Sequence, residues 1–288
     1  MSTFIKSPLN YTGGKTKILP QIIPLFPDDI NVFVDLFAGG ANVGININAD
    51  KVVFNDNIEP LVNLYKTLQQ NSVEKTLNYL EQKIEQFGLS ETNGEAYLTL
   101  RKCYNECQDP LLLFLLTAYS FNHQIRFNNA RQYNVPFGKL RSSFNSAIKG
   151  NLIAFMNKLH SMNAIFVAKN FDELDLKFLG NRDFVYADPP YLITTGTYND
   201  GKRGFTGWGS NEEQKLLDLL DSLDKKGVRF ALSNVTKHKK TENKFLLDWL
   251  KKNEHYHVHN IVKNYANSSY NVKDKDKEDT QEVLVTNY

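Results

Sequence analysis

The chain has 288 residues, 41% hydrophobic and 23% charged, the balance of a soluble globular fold with room for one large domain or one domain carrying a sizeable insertion. A net charge of +2 is too small to mark a nucleic-acid-binding protein by bulk charge alone. The longest apolar run, "PLLLFLLTAY", is too short to cross a bilayer, and an N-terminus with Lys6 and Pro8 but no long apolar core is not a secretory signal, so cytoplasm is the expected compartment.

In chain order, "NYTGGKTKILP" comes first, with Gly13, Gly14, Lys15 and Thr16 in the style of a phosphate-binding loop. That loop needs a glycine five positions before the Gly-Lys pair, where this chain has Leu9, and it must follow a buried strand, whereas only "STFIKSP" precedes it. "NVFVDLFAGG" reads as a buried strand over 32–37 entering a glycine turn, "ANVGININ" as a helical turn, and "KVVFNDN" as a second strand ending at Asn55 and Asp56. Helical three-four spacing follows in "EPLVNLYKTLQQ", "SVEKTLNYLEQKIEQF", "GEAYLTLRKCYNEC" and "PLLLFLLTAYSF". The two cysteines, Cys103 and Cys107, are one helical turn apart with no nearby histidine, so two reduced thiols and no metal site are expected.

Residues 121–150 carry five basic side chains (Arg126, Arg131, Lys139, Arg141, Lys149), no acidic one, and many amides, with "NVPFGKL" reading as a turn or hairpin. Cations for phosphates and amides for base edges suit a nucleic-acid contact surface, and equally a solvated basic loop. From about Ala164 strands and helices alternate again: "AIFVAKN", "NRDFVYADPPY", "NEEQKLLDLLDSLDKKG", "VRFALSNV", "TENKFLLDWLKKN", "YHVHNIVKNY" and "QEVLVTNY". "KHKK" at 237–240 reads as a solvated loop and "DKDKED" as a solvated tip. The pattern is one α/β domain interrupted by a helical and basic insertion.

Three features carry chemistry. Gly39 and Gly40 permit close backbone approach to a ligand at the carboxyl end of a strand, without the spacing of a dinucleotide fingerprint. Asp56, ending the next strand, is placed to accept hydrogen bonds from ribose hydroxyls, or to serve as a turn residue. Together they favour an adenosine-containing ligand without a phosphate cradle. The third is "ADPPYL". Two prolines stiffen the chain and remove amide donors, leaving carbonyls to accept, with Asp188 before them and the Tyr191 ring after. A planar heterocycle with an amino group fits: Tyr191 stacks on its face, while Asp188 and the Pro189 carbonyl take the amino hydrogens.

"DPPY" after a strand, with "DLFAGG" and "YTGGK" upstream, resembles the Dam family of S-adenosyl-L-methionine-dependent DNA adenine methyltransferases, in its compact phage-type branch and with the motif order of the α group. The likeness extends over nearly the whole chain, including "DPLLLFLL", "IRFNNARQYNVPFGK" and "EVLVTNY". It implies a Rossmann-like α/β methyltransferase sheet, with residues 1–56 and 165–288 as catalytic domain and 57–164 as an inserted target-recognition domain. It also implies that the Gly-Gly-Lys loop folds over the methionine end of the cofactor, with Tyr11 and Lys15 near its amino and carboxylate groups. Asp35, Phe37 and Gly39 then lie along the cofactor, Asp56 holds its ribose, Phe171 flanks its adenine, and Asp188, Pro189, Pro190 and Tyr191 form the target-base pocket. The implied reaction is methyl transfer to N6 of an adenine flipped out of double-stranded DNA, with GATC as the family's usual target. Arg126 matches a guanine-reading arginine, and Pro136 and Lys139 match the recognition hairpin. Leu140 stands where a basic residue is implied, with Arg141 beside it, and Asn122 and Gln124 belong to an "NHQ" turn replacing a Ser- and Met-containing one.

The segment "TTGTYNDGKRGFTGWGS" is expected to order on DNA, offering Lys202, Arg203 and Trp208 for backbone or stacking contacts. No obligate protein partner is evident. Two other readings compete: methylation of RNA adenine or of a protein glutamine amide, the latter disfavoured because such enzymes usually carry Asn in place of Asp188, and a catalytically silent nucleic-acid-binding module.

Overall fold

A computed structural model describes residues 4–11, 13–194, 208–262 and 280–288. Most of the segment expected to order on DNA, Lys202 and Arg203 included, lies outside the described residues, as does "DKDKED". Five parallel strands form the centre of the sheet: β1 (Val32–Asp35), β2 (Lys51–Asn55), β3 (Ala164–Val167), β4 (Phe184–Ala187) and β5 (Arg229–His238). β6 (Thr241–Glu242) folds back on β5, while β7 (His257–Ile261) pairs antiparallel with β8 (Thr280–Thr286), itself antiparallel to β5. The spatial order is β3-β2-β1-β4-β5-β8-β7, with β6 beside β5. This is the Rossmann-like α/β sheet the motifs imply. The chain winds outward one way from β1 to β3 and the other way from β4, so the topological switch lies between β1 and β4. In open α/β sheets ligands bind in the crevice at the carboxyl end of such a switch.

Strand periodicity divides the core into two faces. Phe33, Phe184 and Tyr186 point into one cluster, and their neighbours Val34, Val185 and Ala187 into the other. The second face is covered by α7 (Ser210–Lys225) and α8 (Lys244–Lys252), through Leu216, Leu220 and Leu246. The first face is covered by the short α1 (Leu19–Ile22) and by the insertion helices α2 (Glu59–Gln70), α3 (Val73–Phe87), α4 (Gly94–Cys107), α5 (Pro110–Tyr119) and α6 (Ser146–His160). α5 is apolar all round because it is the insertion's central element, with Leu111 to Tyr119 all buried. It starts where the Asp109 carboxylate accepts from the Leu111 amide with Pro110 in the first turn. α3 is capped by Ser72 on the Lys75 amide and ends at Gly88 in the left-handed region, φ 67°. Leu113, Tyr97 and Tyr133 of the insertion share one continuous core with Phe33 and Phe54 of the sheet.

Three elements differ from the sequence reading. β1 stops at Asp35 rather than 37, because Leu36 and Phe37 already turn toward the glycines. α6 begins inside the stretch read as a basic polar surface: Asn145 caps it on the Ile148 amide, and it buries Leu152, Phe155, Met156 and Leu159. "KHKK" is the tip of the β5–β6 hairpin, with Lys239 at φ 54°, rather than a free loop. Cys103 and Cys107 lie on α4, and among the described residues no group of three His, Cys, Asp or Glu side chains is arranged to hold a metal ion. Among those residues no helix is long and apolar enough to cross a membrane.

Candidate active site

The glycine turn after β1 is built by close approach. Gly39 has φ +47°, and a Cβ there would lie 2.8 Å from Tyr11 Cε1; one on Gly40 would lie 2.9 Å from Tyr11 Cβ and 2.8 Å from Asn42 Nδ2. The Tyr11 ring therefore covers the turn, and only glycines allow it. Around it, the Gly39 amide donates to Asp56 Oδ2 at 2.8 Å and the Tyr65 hydroxyl donates to the Gly39 carbonyl at 2.8 Å. The other Asp56 oxygen accepts from the Ile58 amide at 2.9 Å, so Asp56 is a turn residue that also holds the Gly39 amide. Burial raises its carboxyl above the ordinary value against the pull of these two amides. Asp35 is buried beneath the turn, accepts from the Gly44 amide at 3.1 Å, and is raised by burial to about 7. The opening loop is stapled to this turn through Asn42, whose Oδ1 accepts from the Ser7 amide at 3.0 Å and the Thr16 hydroxyl at 2.8 Å.

Lys15 turns inward, not toward a phosphate site. It is 4% exposed, with Nζ 2.6 Å from Asp188 Oδ1 and 3.9 Å from Glu282 Oε1. The Tyr191 hydroxyl lies 3.2 Å from Asp188 Oδ1 and 3.0 Å from Glu282 Oε1, and Lys15 Nζ sits 5.0 Å from the Tyr191 ring centroid. Burial and then the Asp188 and Glu282 charges push the Tyr191 phenol well above its ordinary value, so the hydroxyl remains a donor. The structure thus joins Lys15, Asp188 and Tyr191 at the end of β4, with Pro189 buried and Pro190 exposed between the last two. Lys15 pairs with the carboxylates of this corner, whereas the resemblance set it beside the cofactor's carboxylate. Glu282, buried on β8, was not singled out by the motifs, although an acidic residue flush with the apolar run of "EVLVT" was the available signal.

Phe37 and Phe171 meet with ring centroids 5.4 Å apart, and Trp208 lies 5.5 Å from each. The indole N–H donates to the buried Glu213 at 2.7 Å. Trp208, offered for backbone or stacking contacts with DNA, has its N–H engaged within the protein and its ring beside these two phenylalanines.

The residues that the resemblance assigns to recognition lie along an irregular hairpin pinned by isolated bridges Ser120–Phe137 and Phe127–Tyr133. Asn134 holds Arg126 by its side-chain oxygen on Nε at 2.8 Å and its carbonyl on Nη2 at 3.0 Å. Pro136 is exposed, with its carbonyl accepting from the Phe121 amide at 2.8 Å, and Lys139 is exposed. The exposed Arg141 guanidinium lies 5.3 Å from the Phe121 ring centroid. The Gln124 carbonyl accepts from the Tyr133 hydroxyl at 2.8 Å. Asn122, at φ 54°, presents its carbonyl 3.4 Å from Asn10 Nδ2, linking the insertion to the residue beside Tyr11.

With this geometry in place, likeness to known proteins decides the family. The profile of the D12 class N6 adenine-specific DNA methyltransferases matches residues 11–267. The chain belongs to that family. It is 50% identical over 287 residues to the "Type II methyltransferase M.FokI" of Planomicrobium okeanokoites and 49% identical over 285 residues to the "Modification methylase StsI" of Streptococcus sanguinis. These alignments take in 100% and 99% of the chain but 43% of each relative's length. A "DNA adenine methylase" of Haemophilus influenzae is 27% identical over 237 residues, 78% of either protein. Within the D12 family, then, the chain carries the glycine turn and the "DPPY" corner on adjacent strands of the switch, β1 and β4.

Proposed function

We propose that the chain transfers a methyl group from S-adenosyl-L-methionine to N6 of an adenine extruded from double-stranded DNA. The observation that carries this is the acidic-proline-tyrosine corner at the carboxyl end of β4, one strand from a glycine turn that only a Cβ-free backbone permits. That turn, the Asp56 carboxylate and the Phe37 and Phe171 rings fit an adenosine-bearing cofactor, with Tyr11 over the turn and Asp35 supporting it from below. When bound, S-adenosyl-L-methionine supplies the methyl group on a sulfonium.

The protein's own groups do the remaining work. Amino N6 is a weak nucleophile because its lone pair is delocalised into the purine. Asp188 and the Pro189 carbonyl, accepting its two hydrogens, draw the nitrogen toward tetrahedral geometry and localise the pair. Tyr191 stacks on the base, and its hydroxyl holds Asp188 in place. Lys15 pairs with Asp188 and orients its carboxylate as an acceptor. Holding the base in line with the donor supplies much of the remaining acceleration. Extruding it costs a few kcal/mol, roughly, met by contacts from the insertion. In this reading 1–56 and 165–288 form the catalytic domain and 57–164 the target-recognition domain, with Arg126, its guanidinium braced by Asn134, reading a guanine at about 1–3 kcal/mol of discrimination.

The test is labelled cofactor offered to duplex DNA and to structured RNA with wild type and Asp188→Ala. Transfer to duplex adenine by the wild type, lost in the variant with cofactor binding kept, is expected; an active Asp188→Ala chain, or transfer to RNA alone, refutes the reading. GATC is the first sequence to try, since the family resemblance implies it. A different target is favoured by Leu140, which stands 67% exposed where that resemblance implies a basic residue. Methylation of single-base variants of GATC decides between the two.

A further inference from the structure

Glu282 is buried where a carboxylate is costly. It stands near the start of β8 with 3% exposure, ahead of the buried Val283, Leu284 and Val285, and is paired across the sheet with Val235 of β5 and Ile261 of β7. Burying a carboxylate costs free energy that its partners only offset, and an apolar side chain between those neighbours would serve β8 at least as well. The strand itself does not need the charge.

The acidic-proline-tyrosine corner receives it. Glu282 Oε1 accepts from the Tyr191 hydroxyl at 3.0 Å and lies 3.9 Å from Lys15 Nζ. The same two groups serve Asp188, whose Oδ1 is 3.2 Å from the Tyr191 hydroxyl and 2.6 Å from Lys15 Nζ. A phenol has one proton to donate and an ammonium one charge, so the two carboxylates divide both. Lys15 and Asp188 by themselves would form a neutral pair; with Glu282 the three carry one net negative charge. Both carboxylates also act on a common neighbour. Burial, then the Asp188 charge, and further down those of Asp35 and Glu282, push the Tyr186 phenol well above its ordinary value.

The sign of the corner matters because methyl transfer places positive charge on the amino group. The N6 lone pair forms the N–C bond, the C–S pair stays on sulfur, and N6 is cationic until one of its protons leaves. Asp188 takes that proton and, with its side chain 18% exposed, releases it to solvent. A fixed negative charge beside the developing cation stabilises it without reorganisation, whereas a neutral ion pair does so weakly. We propose that Glu282 is the positioning residue that keeps this corner negative: by sharing the Lys15 ammonium and the Tyr191 hydroxyl, it leaves Asp188 facing the amino group as an anion that its lysine does not cancel. This deepens the methyl-transfer reading and rests on it.

Two conservative variants separate charge from contact. E282Q keeps an oxygen within reach of the Tyr191 hydroxyl and loses the charge; E282D keeps the charge and draws back from the hydroxyl. Single-turnover methylation of duplex DNA at saturating S-adenosyl-L-methionine reads the chemical step, with KM for both substrates and a melting curve for each variant. E282Q should slow that step about 10- to 100-fold with both KM values within about twofold of wild type, and E282D should stay within about threefold of the wild-type rate. E282Q at the wild-type rate, or E282D slower than E282Q, overturns the proposal and leaves the methyl-transfer reading standing. Should E282Q not fold, E282D decides alone, and a folded E282D slowed by more than about threefold overturns the proposal. No transfer to duplex DNA by the wild type removes that reading, and this proposal with it.

Discussion

Replacing Lys15 by methionine tests the charge arrangement at the acidic-proline-tyrosine corner. The lysine Nζ lies 2.6 Å from Asp188 Oδ1 and 3.9 Å from Glu282 Oε1, and the Lys15 and Asp188 side chains are 4% and 18% exposed. With an effective dielectric constant of about 20, unit charges at those separations attract by about 6 and about 4 kcal/mol. Desolvation offsets much of that in the wild type. In Lys15→Met the desolvation remains and the attraction is gone, leaving two carboxylates facing a thioether. Removing one partner of a buried pair costs about 3–5 kcal/mol. With an unfolding entropy of about 2.1 cal/mol/K per residue over 288 residues, the melting temperature should fall by about 5–8 °C. Calorimetric melting of wild type, K15M, D188N and the double variant measures this, and the double variant should fall less than the sum of the singles. A K15M melt within about 1 °C of wild type, together with additive losses, would mean that solvent screens the pair and would refute the reasoning.

Two further predictions concern the glycine turn. Burial raises Asp35 from its ordinary value of 3.8 to about 7, so the folded protein holds a proton there that the unfolded chain has released across that window. Stability therefore falls as pH rises from about 4 to about 7, by up to about 1.4 kcal/mol per pH unit. Asp35→Asn should escape this loss. Its unfolding free energy minus that of wild type should grow through the window and level off above it, and a pH-independent difference rules out the assignment. Gly39→Ala puts a Cβ 2.8 Å from Tyr11 Cε1 at φ +47°. It should cost about 1–3 kcal/mol of stability and weaken cofactor binding by displacing Tyr11. Denaturant unfolding and calorimetric titration read both, and if neither changes, the close approach is not what the turn requires.

Much of the fold was legible in local pattern. β2, α2, α5 and β4 stand where their apolar residues put them, because each keeps a consistent buried face or is buried throughout. α6 was hidden because its N-terminal turn is part of a basic, amide-rich stretch and its apolar side chains are spaced among polar ones; burial against the insertion core decides it. That the "DPPY" corner, the glycine turn and Asp56 each follow a strand was also legible, since each is a short motif at a strand's end, whereas the hydrogen bond from the Gly39 amide to Asp56 was not.

The sequence by itself determined which chemical groups are present and that they follow strand ends: the carboxylate of Asp188, the ring of Tyr191, the glycines of the turn. Tertiary structure alone decided the partners. Lys15 meets Glu282 because β8 inserts next to β5, bringing the end of the chain to its beginning, and Trp208 meets Phe37 and Phe171 because three loops open on the same edge of one sheet. Local periodicity reports which face a side chain takes, whereas strand order, set by how the two cores close, reports what waits on that face.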